Sequence, residues 1–211
     1  MQGILHELTE DGRALLKMIS TTIIGPILIG VGANLPSARY GTPVQTVEAA
    51  LKALDDHPNI RVCRRSRWFE SAPVPISDQP WYVNGACLIE TDLEPRAVLH
   101  VLHDIEAHFG RVRAEKNAPR VLDLDLLAFG DFLTDDDQDF DVPHPRLHER
   151  AFVLLPLRDL VPGWSHPRTN VALDDMIAEL DEGQIIRPIE PHHGANDGEN
   201  TANFDDDPDE V

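Results

Sequence analysis

Residues 123–129, Asp-Leu-Asp-Leu-Leu-Ala-Phe, restrict this chain more than any other segment. The run is short, largely apolar and bounded, which is the pattern of a buried strand. Side chains alternate across a strand. Asp123 and Asp125 therefore share one face, with Cα atoms roughly 7 Å apart, while Leu122, Leu124 and Leu126 take the other. Two carboxylates inside such a run are costly to desolvate without cations. Cations stand directly upstream: Arg111, Arg113, Lys116 and Arg120, in a segment that Gly110 and Pro119 keep irregular. Magnesium prefers a few carboxylates completed by water and phosphate oxygens, and arginine forks bind phosphate. The combination predicts a magnesium-bound polyphosphate with Asp123 and Asp125 as the metal ligands. Two carboxylates at this spacing can bridge a metal pair of the kind that clamps both oxygens of a phosphoryl transfer.

The rest of the chain supplies a frame for that strand. Ile27–Val31 reads as a buried strand, and Gly32-Ala33-Asn34-Leu35 turns the chain. Thr42 and Gln45 fit a capping box, with Pro43 at the first helical position. Val44, Val47, Leu51 and Leu54 form the apolar face of that helix, which His57-Pro58 stops. Ile60–Phe69 and Trp81–Thr91 read as strands around a loop stiffened by Pro73, Pro75 and Pro80. Pro95 opens a second helix with Val98, Leu102, Ile105 and Phe109 on one face. After the Asp strand come an acidic hairpin, a short helix starting near Arg150 and a last helix at Leu173–Leu180. The order β-α-β-β-α-β predicts an α+β chain with a ferredoxin-like antiparallel sheet and an added hairpin.

Length and charge bound the function. The 211 residues suit one domain, expected at 27–190, between an N-terminal extension (1–26) and an acidic tail (191–211) expected to be disordered. A net charge of −19 weighs against general nucleic-acid binding. The acidic run 135–141 lacks the Gly and Glu of a calcium loop and reads as solvated. No apolar run reaches the ~20 residues of a membrane span, and the first 26 residues lack the order of a signal peptide. The expected location is the cytosol, with Cys63 and Cys87 as buried reduced thiols and a disulfide or metal pair as the minor alternative.

Further candidates lie outside the Asp strand. Ser71, Pro73, Val74, Tyr82 and Asn84 combine a stiff backbone, an aromatic face and an amide, which suit the edge and face of a heterocycle. Taken singly, Tyr82 and Asn84 read first as ordinary strand residues, but they share a face, which keeps the site reading open. His144, between two prolines, can donate to a phosphate or alcohol oxygen, or be a structural turn residue. Arg150 and Phe152 open a helix whose free N–H groups favour anions, with Phe152 by default core. There is no Walker loop, dinucleotide glycine motif or nucleophile elbow.

These residues together resemble the 6-hydroxymethyl-7,8-dihydropterin pyrophosphokinase family of folate biosynthesis. The carrying segment is Pro119-Arg120-Val121-Leu122-Asp123-Leu124-Asp125. Gly32–Leu35, Asp78–Asn84, Glu106 with Gly110–Arg113, and Val142-Pro143-His144 support it in the family's order, over about Ile27 to Pro188. The resemblance implies a three-layer α-β-α fold and transfer of pyrophosphate from ATP to the pterin hydroxymethyl group, releasing AMP. It implies two magnesium ions on Asp123 and Asp125, with ATP as co-substrate. Arg111, Arg113, Arg120, His144, Arg150 and Glu106 are then expected at ATP, with Arg111 and Arg113 also catalytic. Ser71, Val74, Tyr82, Asn84 and Phe152 are expected at the pterin. The expected partners are these two small molecules, with no nucleic acid or membrane, and the chain is expected to act as a monomer. Asn117 stands where the family often has Trp, and Pro145 where some relatives have an aromatic. A metal-dependent sugar-nucleotide glycosyltransferase, which also uses Asp-x-Asp, and a non-catalytic pterin- or nucleotide-binding homologue are the rival readings.

Overall fold

The computed structural model describes residues 25–111, 119–135 and 140–190. The expected N-terminal extension and acidic tail, Arg113, Lys116 and Asn117 lie outside the described residues. The elements in order are β1 (Ile27–Ala33), α1 (Pro43–Asp55), β2 (Ile60–Arg65), β3 (Phe69–Ser71), β4 (Tyr82–Thr91) and α2 (Pro95–His108). There follow β5 (Asp123–Phe129), a 3-10 turn (Leu147–Glu149), α3 (Ala151–Leu160), α4 (Leu173–Ala178) and β6 (Ile186–Pro188). The described strands form one sheet in the order β5-β1-β4-β3-β6, with β2 paired to the far half of β4. Every described pairing is antiparallel. β1, β4, β5 and β2 with their two crossover helices are the expected ferredoxin-like unit.

Burial explains the three layers. The odd-numbered β1 residues and Leu122, Leu124 and Leu126 face a core closed by Val47, Leu51 and Leu54 of α1 and Val98 and Leu102 of α2. On the opposite face Leu28, Ala86 and Leu127 meet Val153, Leu154, Leu157 and Leu160 of α3, backed by Leu173 and Met176 of α4. Each fully buried leucine contributes roughly 2 kcal/mol. Helix α1 starts as its sequence predicts: the Thr42 side chain accepts from Gln45 N–H, and Gln45 Oε1 accepts in return from Thr42 N–H.

The structure revises four expectations. The strand expected over Ile60–Phe69 is two strands, because the Trp68 ring crosses β4 at Gly85, where a Cβ would sit 2.4 Å from it. β6, too short and proline-bearing to show periodicity, adds to the sheet beside β3. Between Gly130 and Val142 the described residues form no strand; Thr134 instead holds Val142 through its N–H and hydroxyl. Both cysteines are free, but only Cys87 is buried, since Cys63 lies on the thinly covered β2.

Candidate functional site

Strand register assembles the site. β1 lies between β5 and β4, with Gly32 opposite Asp123 on one side and Asn84 on the other. The next row on this face is Asp125, Gly30 and Ala86. The α3 layer covers Ala86 but begins only at Ala151, so the Asp123–Gly32–Asn84 row stays open. Two strand spacings, roughly 10 Å, separate the carboxylate from the amide. Gly32 keeps the floor between them low: a Cβ there would stand 3.0 Å from Asn84 Oδ1. A cleft of about 860 Å³, counting the open solvent at its mouth, sits above this row. Its walls include Ser71, Val74, Tyr82, Arg120, Arg150 and Phe152.

The heterocycle end is organised by short bonds. Asn84 Nδ2 donates to Ser71 Oγ at 2.9 Å, which holds the amide with Oδ1 toward Gly32. Tyr82 shares that face, and its hydroxyl donates to Gln79 Oε1 at 3.3 Å. Burial pushes the phenol above its ordinary range, so it stays neutral. The Arg150 guanidinium carbon lies 5.4 Å from the Phe152 ring centroid. Five expected pterin residues, Ser71, Val74, Tyr82, Asn84 and Phe152, thus line one cleft.

The acidic end is charge-dense. Asp123 Oδ1 accepts from Arg120 at 2.8 Å and pairs with Arg111 at 2.9 Å. Asp125 makes no hydrogen bond or ion pair among the described residues. Burial first, then the Asp123 charge, push its carboxyl well above the usual range, while Arg150 pulls it back. Burial draws the Arg150 guanidinium below its ordinary value, while Asp125 and Asp123 pull it back up.

His144 is anchored by a sheet irregularity. Leu28 pairs with Ala128 and Ile29 with Leu126, which leaves Leu127 as a bulge. The carbonyl of Leu127 accepts the His144 N–H at 2.9 Å. Arg146 N–H donates to His144 Nδ1 at 3.1 Å, so a neutral ring carries its proton on Nε2. Burial, helped by Arg150, lowers the imidazole to about 4. His144 is therefore a neutral donor at physiological pH.

Glu106, expected among the ATP contacts, lies buried behind Arg111. Its side chain is 3% exposed and pairs with Arg111. Its Oε1 also accepts Leu124 N–H at 2.7 Å. It braces the start of β5 and aims Arg111 at Asp123. The spacing of α2 puts it on the buried face with Val98 and Leu102.

Three residues at the site had no functional role in the sequence reading, which put Gly32 and Asn34 in a turn, whereas β1 runs through Gly32 to Ala33. Gly32 and Arg146 line the cleft. Asn34 is buried and joins its rims: Nδ2 donates to Pro80 O at 3.2 Å, and Oδ1 accepts Arg120 N–H at 2.8 Å. The Gly-x-Asn spacing at the end of β1 was the available signal.

Known proteins agree with this architecture. Residues 28–162 match the family model for 7,8-dihydro-6-hydroxymethylpterin-pyrophosphokinase (HPPK). A Synechocystis 2-amino-4-hydroxy-6-hydroxymethyldihydropteridine pyrophosphokinase is 34% identical over 164 residues, covering 78% of this chain and 80% of that protein. The Haemophilus influenzae protein of the same name is 33% identical over 159 residues, covering 75% of this chain and 95% of its own. Folic acid synthesis protein FOL1 of Dictyostelium discoideum is 33% identical over 165 residues, 78% of this chain, but the match spans only 24% of its length. A solved Plasmodium falciparum HPPK-DHPS bound to SDX-DHP superposes with a TM-score of 0.57 at 14% identity, over 72% of this chain and 45% of that one. That likeness concerns the fold. A family model spanning more than half of the chain, and bacterial relatives a third identical along most of their length, establish that the chain belongs to the HPPK family.

Proposed function

We propose that this cleft carries out the reaction for which its family is named. The β,γ-pyrophosphoryl group of ATP passes to the hydroxymethyl oxygen of 6-hydroxymethyl-7,8-dihydropterin in folate synthesis. The alcohol oxygen bonds to the β-phosphorus as the bond from that phosphorus to the α,β-bridging oxygen breaks. AMP leaves with that oxygen, and the alcohol gives up its proton. The observation that carries the residue assignment is the row Asp123–Gly32–Asn84, with a phosphate-suited end and a heterocycle-suited end on one open floor.

In this reading Tyr82 and Phe152 offer aromatic faces to the pterin, and Asn84 Oδ1 accepts one of its N–H groups. Ser71 fixes that amide. Arg111, Arg120 and Arg150 take the polyphosphate oxygens, and the His144 Nε2–H donates to another. Arg113 belongs to the same set from the basic segment. The donor chemistry fits magnesium. Among the described residues no group of three or more His, Cys, Asp or Glu side chains could hold a metal. Asp123 and Asp125 would then supply two ligands, leaving the rest to phosphate and water, as magnesium prefers. Two such ions, when bound, would neutralise polyphosphate charge and polarise the β-phosphorus. The chain's own contribution is positioning and electrostatics.

The reading includes one pyrophosphokinase domain at 27–190 acting as a monomer in the cytosol, without nucleic-acid partners. The net charge of −19 supports the last point, and no described helix is long and apolar enough to cross a membrane. Family membership sets aside the glycosyltransferase alternative. The test is AMP formation from ATP, with and without the reduced hydroxymethylpterin and magnesium. AMP and pyrophosphorylated pterin, each requiring both additions, are expected. Binding of both ligands without turnover would favour the non-catalytic homologue.

A further inference from the structure

Helix α3 starts at Ala151, yet its N-cap residue, Arg150, makes no side-chain capping bond. A helix N-terminus leaves its first amides without intrahelical partners. Here a distant residue takes up the first: Ala151 N–H donates to Gln184 Oε1 at 2.9 Å. The other end of the same planar amide, Gln184 Nε2, donates to the Glu149 carbonyl at 2.8 Å. One side chain thus grips the main chain on both sides of Arg150. The turn that presents it is itself held. Gly183 N–H bonds Asp181 Oδ1 at 2.8 Å, and Gln184 N–H bonds the Asp181 carbonyl at 3.2 Å.

The residues that follow grip the opposite wall. Ala72 N–H donates to the Ile185 carbonyl at 3.0 Å, and Ile186 of β6 stands opposite Ser71 of β3. Arg187 pairs with Glu70, and its guanidinium carbon lies 5.1 Å from the Trp81 ring centroid. Ser71 and Ala72 line one side of the cleft, and Arg150 and Phe152 line the other. Five consecutive residues, Gln184–Pro188, therefore tie the two walls together. They lie beyond the span matched by the family model.

We infer that Gln184 is a positioning residue for the pterin end of the cleft, its amide fixing the start of α3, and with it Phe152, against Ser71 and Asn84. This rests on the reading of Phe152 as a face for the pterin. Gln184 is only half-buried, so water can replace its bonds and the fold survives its loss. What is lost is the registration of one wall against the other, which is a cost to ligand geometry.

The test uses the full chain with Gln184→Ala, Gln184→Glu and Phe152→Ala. Dissociation constants for the reduced hydroxymethylpterin, in the presence of a non-hydrolysable ATP analogue with magnesium, and for that analogue alone are measured, with melting temperatures. Gln184→Ala should weaken pterin binding roughly fivefold to tenfold, the scale of one or two hydrogen bonds. It should weaken analogue binding by less than half that factor, because Arg150 is one of four arginines the proposed function places on the polyphosphate, whereas Phe152 is one of only two aromatic faces for the pterin. Gln184→Glu keeps the acceptor for Ala151 N–H and should recover most of the loss. An equal loss for both ligands, in step with a lower melting temperature, would make Gln184 merely structural and overturn the inference. So would unchanged pterin binding in Gln184→Ala while Phe152→Ala weakens it. If Phe152→Ala leaves pterin binding intact, the pocket assignment itself fails, and the inference with it.

Discussion

Replacing Asp125 by Asn should make the metal-free protein more stable and the enzyme far slower. Burial and the adjacent Asp123 charge push the Asp125 carboxyl from 3.8 up to about 7. At about 1.4 kcal/mol for each tenfold change, ionising it in the folded chain costs at most about 4 kcal/mol. The attraction of Arg150 and Arg111 is already part of that cost, and relaxation around the ionised group takes back about half of it, so the expected net gain is about 2 kcal/mol. For a chain of this size that is a rise of roughly 4–8 °C in melting temperature. The pH dependence has a fixed sign. Between pH 4 and 7 the folded chain keeps a proton that the unfolded chain has released, so this group makes stability fall as pH rises. Above pH 7 the penalty is complete. Denaturant titrations with chelator present, from pH 4 to 8, should show the Asn variant gaining on the wild type across that window and holding its lead above it. Magnesium with an ATP analogue should then stabilise the wild type more than the variant. Turnover should drop about a hundredfold or more, roughly 3 kcal/mol of transition-state stabilisation. A variant less stable than wild type at pH 8 in chelator, or a gap flat with pH, would refute the reasoning.

Gly32→Ala puts a methyl 3.0 Å from Asn84 Oδ1 and should raise the KM for the pterin about tenfold, with little change for ATP, as steady-state kinetics would show. Unchanged pterin KM would remove Gly32 from the cleft floor. His144→Gln should flatten an acid-side stability slope. The imidazole is lowered to about 4, so between pH 6.5 and 4 the unfolded chain binds the extra proton and wild-type stability falls as pH falls. Denaturant titrations over that range would check it, and an equally steep slope in the variant would contradict it.

The Asp pair and Tyr82–Asn84 were legible because strand alternation is a local property: each pair is two residues apart and lands on one face. The start of α1 was legible for the same reason, since Thr42 and Gln45 are three residues apart. What escaped depends on partners distant in the chain. Gly32 is the floor only because register brings Asp123 and Asn84 to either side of it. Trp68 breaks its strand because Gly85 lies beneath it. The partners of Glu106 were hidden because Leu124 N–H and Arg111 meet it across the layer between α2 and β5. The bulge at Leu127, which frees a carbonyl for His144, breaks the period without changing the apolar pattern.

Asn34 has a mechanical consequence. Its amide spans from the Pro80 carbonyl to the Arg120 N–H, and Arg120's carbonyl in turn accepts from Asn34 and Leu35 N–H. The backbone at Pro80 and the backbone leading into the acidic strand are therefore both tied to the end of β1. In the proposed reading both substrates dock on a common chassis, and the distance between their berths is set during folding rather than negotiated when they arrive.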